Sequence, residues 1–152
     1  MTPQDTSMQL HDWLSWRDLS RAEVEDKFNI AADMVQTDTS YVRVGGLDML
    51  RNRAADKGRF YFRQDQFVVY VLESVGKGPN TIPSDEILAS LGEAVAVLPA
   101  RVGKRSKVHI YPEQGIAISE LDHTVRLLEI FPPMSLAAYK DNFYYEPEPY
   151  IR

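Results

Sequence analysis

Three strand-length runs, Lys107 to Tyr111, Ile116 to Ser119 and Val125 to Phe131, are separated by connections only a few residues long. Parallel neighbours need a crossover of a dozen or more residues, so these runs are confined to antiparallel pairing. The first connection, Pro112-Glu113-Gln114-Gly115, has Pro early and Gly late in a turn, and the second turns at Asp122-His123. Pro132-Pro133 ends the third run. Ahead of them, Pro83 and Ser84 open a helical stripe of Ile87, Leu88, Leu91, Val95 and Leu98, broken at Gly92 and stopped by Pro99. Thr81 to Pro132 therefore reads as a helix followed by a three-stranded antiparallel sheet.

The preceding sequence has a similar grammar. Trp13 and Trp16, three apart, share a helical face in an otherwise polar opening segment. From Asp18 to Val35, Leu19, Ala22, Val24, Phe28, Ala31 and Ala32 recur at helical steps, and Ser20 with Glu23 forms a capping box. Tyr41 to Val44 reads as a short strand before Gly45-Gly46. Leu47 to Ala55 ranks as a helical turn ahead of an irregular excursion. Arg59 to Phe62 and Phe67 to Glu73 form a hairpin across Arg63-Gln64-Asp65-Gln66. Val75 to Asn80, with Gly76, Gly78 and Pro79, is the clearest linker. After the sheet, Leu136, Tyr139 and Phe143 mark a closing helix within 134–145, and Glu146 to Arg152 reads as an extended tail.

Displacing the chain by 63 places sets LSRAEVEDKFNIAADMV, from Leu19, against IPSDEILASLGEAVAVL, from Ile82. Leu19 meets Ile82, Val24 meets Ile87, Phe28 meets Leu91 and Met34 meets Val97. Repetition of this kind signals duplicated supersecondary units. The expected architecture is α+β: one domain over 1–152, an antiparallel sheet from two tandem helix-plus-hairpin units (18–75 and 81–132) with the helices packed on one face, then a C-terminal helix and tail (134–152).

The string S-D-E-I-L-A-S-L-G-E followed by V-H-I-Y, G-I-A-I-S and V-R-L-L-E-I resembles the helix-plus-three-strand unit of the outer-membrane-assembly lipoprotein BamE (SmpA) group. It is also similar to half of the β-lactamase inhibitory protein fold, where two such units make a broad concave sheet that grips a partner. The likeness covers mainly Ser84 to Ile130. Those proteins carry a lipidated cysteine or disulfides, whereas this chain has no Cys. The resemblance thus implies a fold and a habit of binding proteins with a sheet face, and neither membrane assembly nor lactamase inhibition.

Composition narrows the function classes. With 22 acidic against 17 basic residues the net charge is −5, which argues against general nucleic-acid binding. The longest apolar runs are of strand length, short of a membrane span. The opening MTPQDTSMQLHDW has neither the basic start nor the apolar stretch of a secretory signal, so a cytoplasmic location is expected. Arg101, Lys104, Arg105 and Lys107 form the densest basic cluster, which reads as a solvated loop or as an anion-binding loop.

Sites for chemistry are sparse in the sequence. His11, His109 and His123 lack His or Cys neighbours at metal-ligand spacing, so no metal is expected. There is no nucleophile elbow and no phosphate-binding glycine loop, and no cofactor is expected. Strand alternation is more informative. Phe60 and Phe62 oppose Arg59, Tyr61 and Arg63, while Val108 and Ile110 oppose His109 and Tyr111. If helices cover the aliphatic side, an open face gathers Tyr41, Arg43, Arg59, Tyr61, Arg63, His109 and Tyr111. Tyr and Arg dominate interface hot spots, although an ordinary solvated sheet face reads the same way.

The expected function is a non-enzymatic protein-interaction module (inhibitor, assembly factor or adaptor) with a protein partner, and a homodimer is compatible with it. One rival is a small α+β cone enzyme or carrier with His109 or Asp48 in its pocket. The other is a structural subunit that reaches a neighbour through Glu146 to Arg152.

Overall fold

The computed structural model describes residues 14–29, 36–37, 48–51, 58–73, 84–100 and 105–144. In chain order these form α1 (Arg21–Lys27), β1 (Gln36–Thr37), β2 (Asp48–Arg51), β3 (Arg59–Arg63), β4 (Gln66–Glu73), α2 (Ser84–Leu91), β5 (Ala96–Pro99), β6 (Lys107–Tyr111), β7 (Ile116–Leu121), β8 (Thr124–Ile130) and α3 (Leu136–Asn142). Short 3-10 turns occupy Trp16–Asp18 and Pro112–Gln114. Trp13, the expected strand Tyr41 to Val44, the linker Val75 to Asn80 and the tail Glu146 to Arg152 lie outside the described residues.

The fold is α+β, with an antiparallel sheet of order β1-β2-β3-β4-β8-β7-β6-β5. In each half a helix precedes four strands in the chain, and the last strands of the two halves, β4 and β8, pair at the centre. Two hairpins close on two-residue turns, Gln64-Asp65 and Asp122-His123, all four residues having positive φ. That is the turn geometry that matches the right-handed twist of paired strands. Both turns use Asn-like or polar residues in place of glycine, at a modest backbone cost.

Local sequence accounts for the helix ends. Ser20 caps α1 by accepting from Glu23 N–H, and the Glu23 carboxylate accepts from Ser20 N–H at 2.8 Å. The expected box is therefore present, but α1 stops at Lys27 and Asn29 turns left-handed (φ 55°). Residues 30–35 of the expected helix lie outside the described residues. The stripe expected to run to Leu98 ends at Leu91, because Gly92 takes a left-handed φ of 84° and terminates the helix. The sequence after it becomes β5 (Ala96–Pro99) and pairs with β6. Leu47 to Ala55 is likewise not helical where described. Asp48–Arg51 is a strand, with Leu50 buried on one face and Met49 on the other. Strands buried on both faces lose the simple apolar-polar alternation that distinguishes them from helices.

The helices of the two halves share one face of the sheet, as expected, and the C-terminal helix covers the other. Val24 of α1 and Ile87 of α2 pack with Phe60, Tyr70, Ile116 and Ile130, whereas Tyr139 and Phe143 of α3 pack on the opposite side with Val108, Ile110, Ala117 and Phe131. Register carries the first core across the sheet: Leu50, Phe60, Tyr70, Ile130, Ile116 and Tyr111 succeed one another as cross-strand partners from β2 to β6. The segment before α1 locks onto this layer. Trp16 meets Phe28 and Tyr70 edge-on at 5.0 and 5.1 Å. Arg17 donates to the carbonyls of Gln114 (2.7 Å) and Phe131 (3.2 Å). Burial lowers the pKa of that guanidinium, with Asp18 opposing.

Candidate functional site

Of the seven residues expected on an open sheet face, the five that are described do not share one. Tyr61 is completely buried among Met49, Val69 and Val71, on the α3 side. Tyr111 is 3% exposed on the other side, its hydroxyl donating to Gly92 O at 3.0 Å. Within each strand the alternation is as read. The pairing between strands sets Phe60 and Phe62, rather than Tyr61, on the face of Tyr111. Helices on both faces then cover what a one-sided arrangement would leave open. Arg59 and His109 are half-buried and Arg63 is exposed at the β3 end. Tyr41 and Arg43 lie outside the described residues, as do Arg101 and Lys104 of the basic cluster. Arg105 and Lys107 are exposed, with Lys107 opposite Glu120 across the ladder.

The structure does bring His109 into a polar network at the start of α2. Its Nε2 lies 3.3 Å from Glu120 Oε1, and Ser84 Oγ donates to Glu120 Oε2 at 3.2 Å. Ser84 N–H donates to His123 O, and His123 Nδ1 lies 3.1 Å from Asp85 Oδ1. In a nucleophilic relay the hydroxyl faces the imidazole and the carboxylate stands behind it. Here the carboxylate sits between hydroxyl and imidazole, so the arrangement pins the first turn of α2 to β6 and β7. Beside it, Val97 is the cross-strand partner of His109. Val95 and Val97 are 62% and 48% exposed, the two large hydrophobics most open to solvent among the described residues.

The His123 pKa is raised, chiefly by its hydrogen bond to Asp85 and then by charge, with Glu120 and Asp122 adding to it. A raised folded value means that the pair contributes fully below pH about 6.5 and fades as pH rises through the folded pKa. An NMR titration of the His123 ring is expected to give a midpoint above 6.5, and Asp85→Asn should bring it down. An unmoved midpoint would remove Asp85 as the cause.

A second polar group lies beneath α3. Glu129 and Ser119, each 3% exposed, point from β8 and β7 into a small cleft, and Tyr139 OH donates to Glu129 Oε1 at 2.6 Å. Neither residue falls in a motif that marks a site. The available signal was an acid inside the apolar run Leu127 to Phe131, since a carboxylate in a strand buried on both faces needs a dedicated partner. Among the described residues no group of three or more His, Asp or Glu is placed to hold a metal ion, and no helix is long and apolar enough to cross a membrane. Comparisons with protein-family models, curated proteins and solved structures found no match.

Proposed function

We propose that the chain is a non-enzymatic protein-interaction module whose partner-facing surface is the α2 side of the β5 edge. The observation that carries this reading is the adjacent exposure of Val95 and Val97 at the edge of the sheet. Exposed aliphatic side chains gathered at a sheet edge favour association. The His109–Glu120 pair supplies a polar floor next to them. The resemblance to the BamE group and the β-lactamase inhibitory protein, together with the α-then-four-strand order of both halves, supports a tandem binding scaffold of this kind, an inhibitor, assembly factor or adaptor.

The mode of binding follows from the backbone of β5. Ala100 N–H donates to Ser106 O, so alternation along the ladder directs the N–H groups of Leu98 and Ala96 inward as well, while Val95 N–H, just before the strand, departs from the alternation and also turns inward to Ile110 O. Pro99 has no N–H, and its carbonyl accepts from Tyr144 OH at 2.9 Å. Val97 N–H is then the one outward donor along β5. An added strand would find too few partners, so recognition falls to the side chains, as at a protected edge.

Affinity capture from the native host tests the reading. The double variant Val95→Asp/Val97→Asp is expected to fold with an unchanged circular dichroism spectrum and to lose the partner. Forfeited apolar burial and the desolvation of two charges should weaken binding at least about tenfold. Undiminished capture of the same partner would overturn the surface assignment.

A further inference from the structure

We propose that the partner received by the β5 edge is a second copy of this chain, related to the first by a two-fold axis. The inference rests on the reading of that edge as a partner-facing surface and commits it to one occupant. Val95 and Val97 are open to solvent on the last strand of the sheet order. Exposed charge is divided along that strand. Glu93 precedes the two valines, whereas Arg105 and Lys107 lie beyond them, Lys107 as the cross-strand partner of Pro99. At about 3.3 Å per extended residue, Glu93 and Pro99 stand up to about 20 Å apart. Charges are screened within about 8–10 Å at ordinary salt, so each end presents its own sign. Glu120, opposite Lys107 on β7, is engaged by Ser84 and His109.

A strip that is acidic at one end, apolar in the middle and basic at the other is complementary to itself when inverted. A two-fold axis near Ala96 sets Val95 of one copy against Val97 of the other. The same axis brings Glu93 of each copy beside Pro99 and Lys107 of the other. Two-fold contacts are isologous, so every match occurs twice. With a net charge of −5, two copies repel unless the cations of one meet an anion of the other, as this inversion arranges. Val97 carries the one outward N–H of β5, so the copies meet through side chains and their sheets do not fuse. Two valines with flanking charges fall at the low end of specific interfaces, which makes the dimer weak and dependent on concentration.

Sedimentation velocity of the full chain from about 10 µM to about 1 mM tests the inference, and a monomer–dimer equilibrium is expected within that range. Val97→Asp should weaken the dimer at least about tenfold. Glu93→Lys and Lys107→Glu should each weaken it about fivefold, because each reverses two symmetry-related pairs. An equimolar mixture of the two charge variants should regain the dimer, since the exchanged charges then match in both contacts. Circular dichroism checks that each variant is folded. If Lys107→Glu fails to fold, Glu93→Lys and Val97→Asp still decide. A chain that stays monomeric throughout overturns the inference, and capture of a different protein that depends on Val95 and Val97 would then leave the β5 reading standing. A dimer indifferent to Val97→Asp and Glu93→Lys, or a mixture no stronger than either charge variant alone, also overturns it.

Discussion

Gly115→Ala is expected to lower the unfolding midpoint by about 8–16 °C, the consequence of about 4 kcal/mol in a chain of this size. Gly115 follows the 3-10 turn between β6 and β7 with φ 75°, a left-handed conformation that costs an alanine about 1 kcal/mol. The larger part is steric. A Cβ there would overlap both the carbonyl oxygen of Phe131 and the guanidinium of Arg17. The carbonyl belongs to backbone fixed by Phe131 N–H donating to Gly115 O at 2.9 Å, so it cannot retreat without breaking that bond. The guanidinium can move only by surrendering its bonds to Gln114 O and Phe131 O, and hydrogen bonds from a charged group are worth about 1.5–3 kcal/mol. Gly92→Ala is the matched control. It has φ 84° and nothing within 4 Å of its Cβ position, so it should lose only the conformational part, about 2–4 °C. Thermal unfolding of both variants checks the account, and equal losses would show that close approach at Gly115 is unimportant.

The same turn shows what the sequence could reveal and what it could not. Pro112 to Gly115 is legible as a tight connection, because Pro and Gly favour defined positions in one. That Arg17, nearly a hundred residues earlier, closes over it is not legible, since nothing local records a long-range partner. The capping box at Ser20 and Glu23 was readable for the converse reason: both partners lie within one helical turn. The candidate site suffered most from this limit. Alternation in Arg59 to Arg63 and in Lys107 to Tyr111 divides each strand into two sets. Which set of one strand joins which set of another depends on register, and a slip of one residue exchanges faces. The irregularity between Tyr61 and Phe62 and the route through β4, β8 and β7 fix that register. Tyr61 consequently falls beside the apolar side chains of the α3 face. The continuous apolar run Phe60-Tyr61-Phe62 carried a usable hint, since a strand with one solvated face is seldom apolar at three successive positions. Placing α3 opposite α1 and α2 was a tertiary outcome with no local signature.

Phe60→Ala is the substitution expected to cost most within the core, about 3–5 kcal/mol. Its ring is completely buried and packs at centroid distances of 4.7 Å from Tyr70, 5.1 Å from Phe28 and 5.8 Å from Trp16. Those three rings come from β4, the end of α1 and the turn before it, so removing Phe60 withdraws the surface on which the N-terminal elements sit. At seven residues α1 is too short to persist without tertiary contacts. The loss should therefore be unequal. Hydrogen exchange in Phe60→Ala is expected to accelerate at Val24 and Phe28, whose N–H groups donate to Ser20 O and Val24 O, well before it accelerates in the β6–β7 ladder. Urea unfolding supplies the total and exchange supplies its distribution. Uniform acceleration across α1, β6 and β7 would mean that the two halves unfold as one cooperative unit. Selective loss would show that the aromatic cluster, rather than the central β4–β8 ladder, holds the N-terminal elements in place.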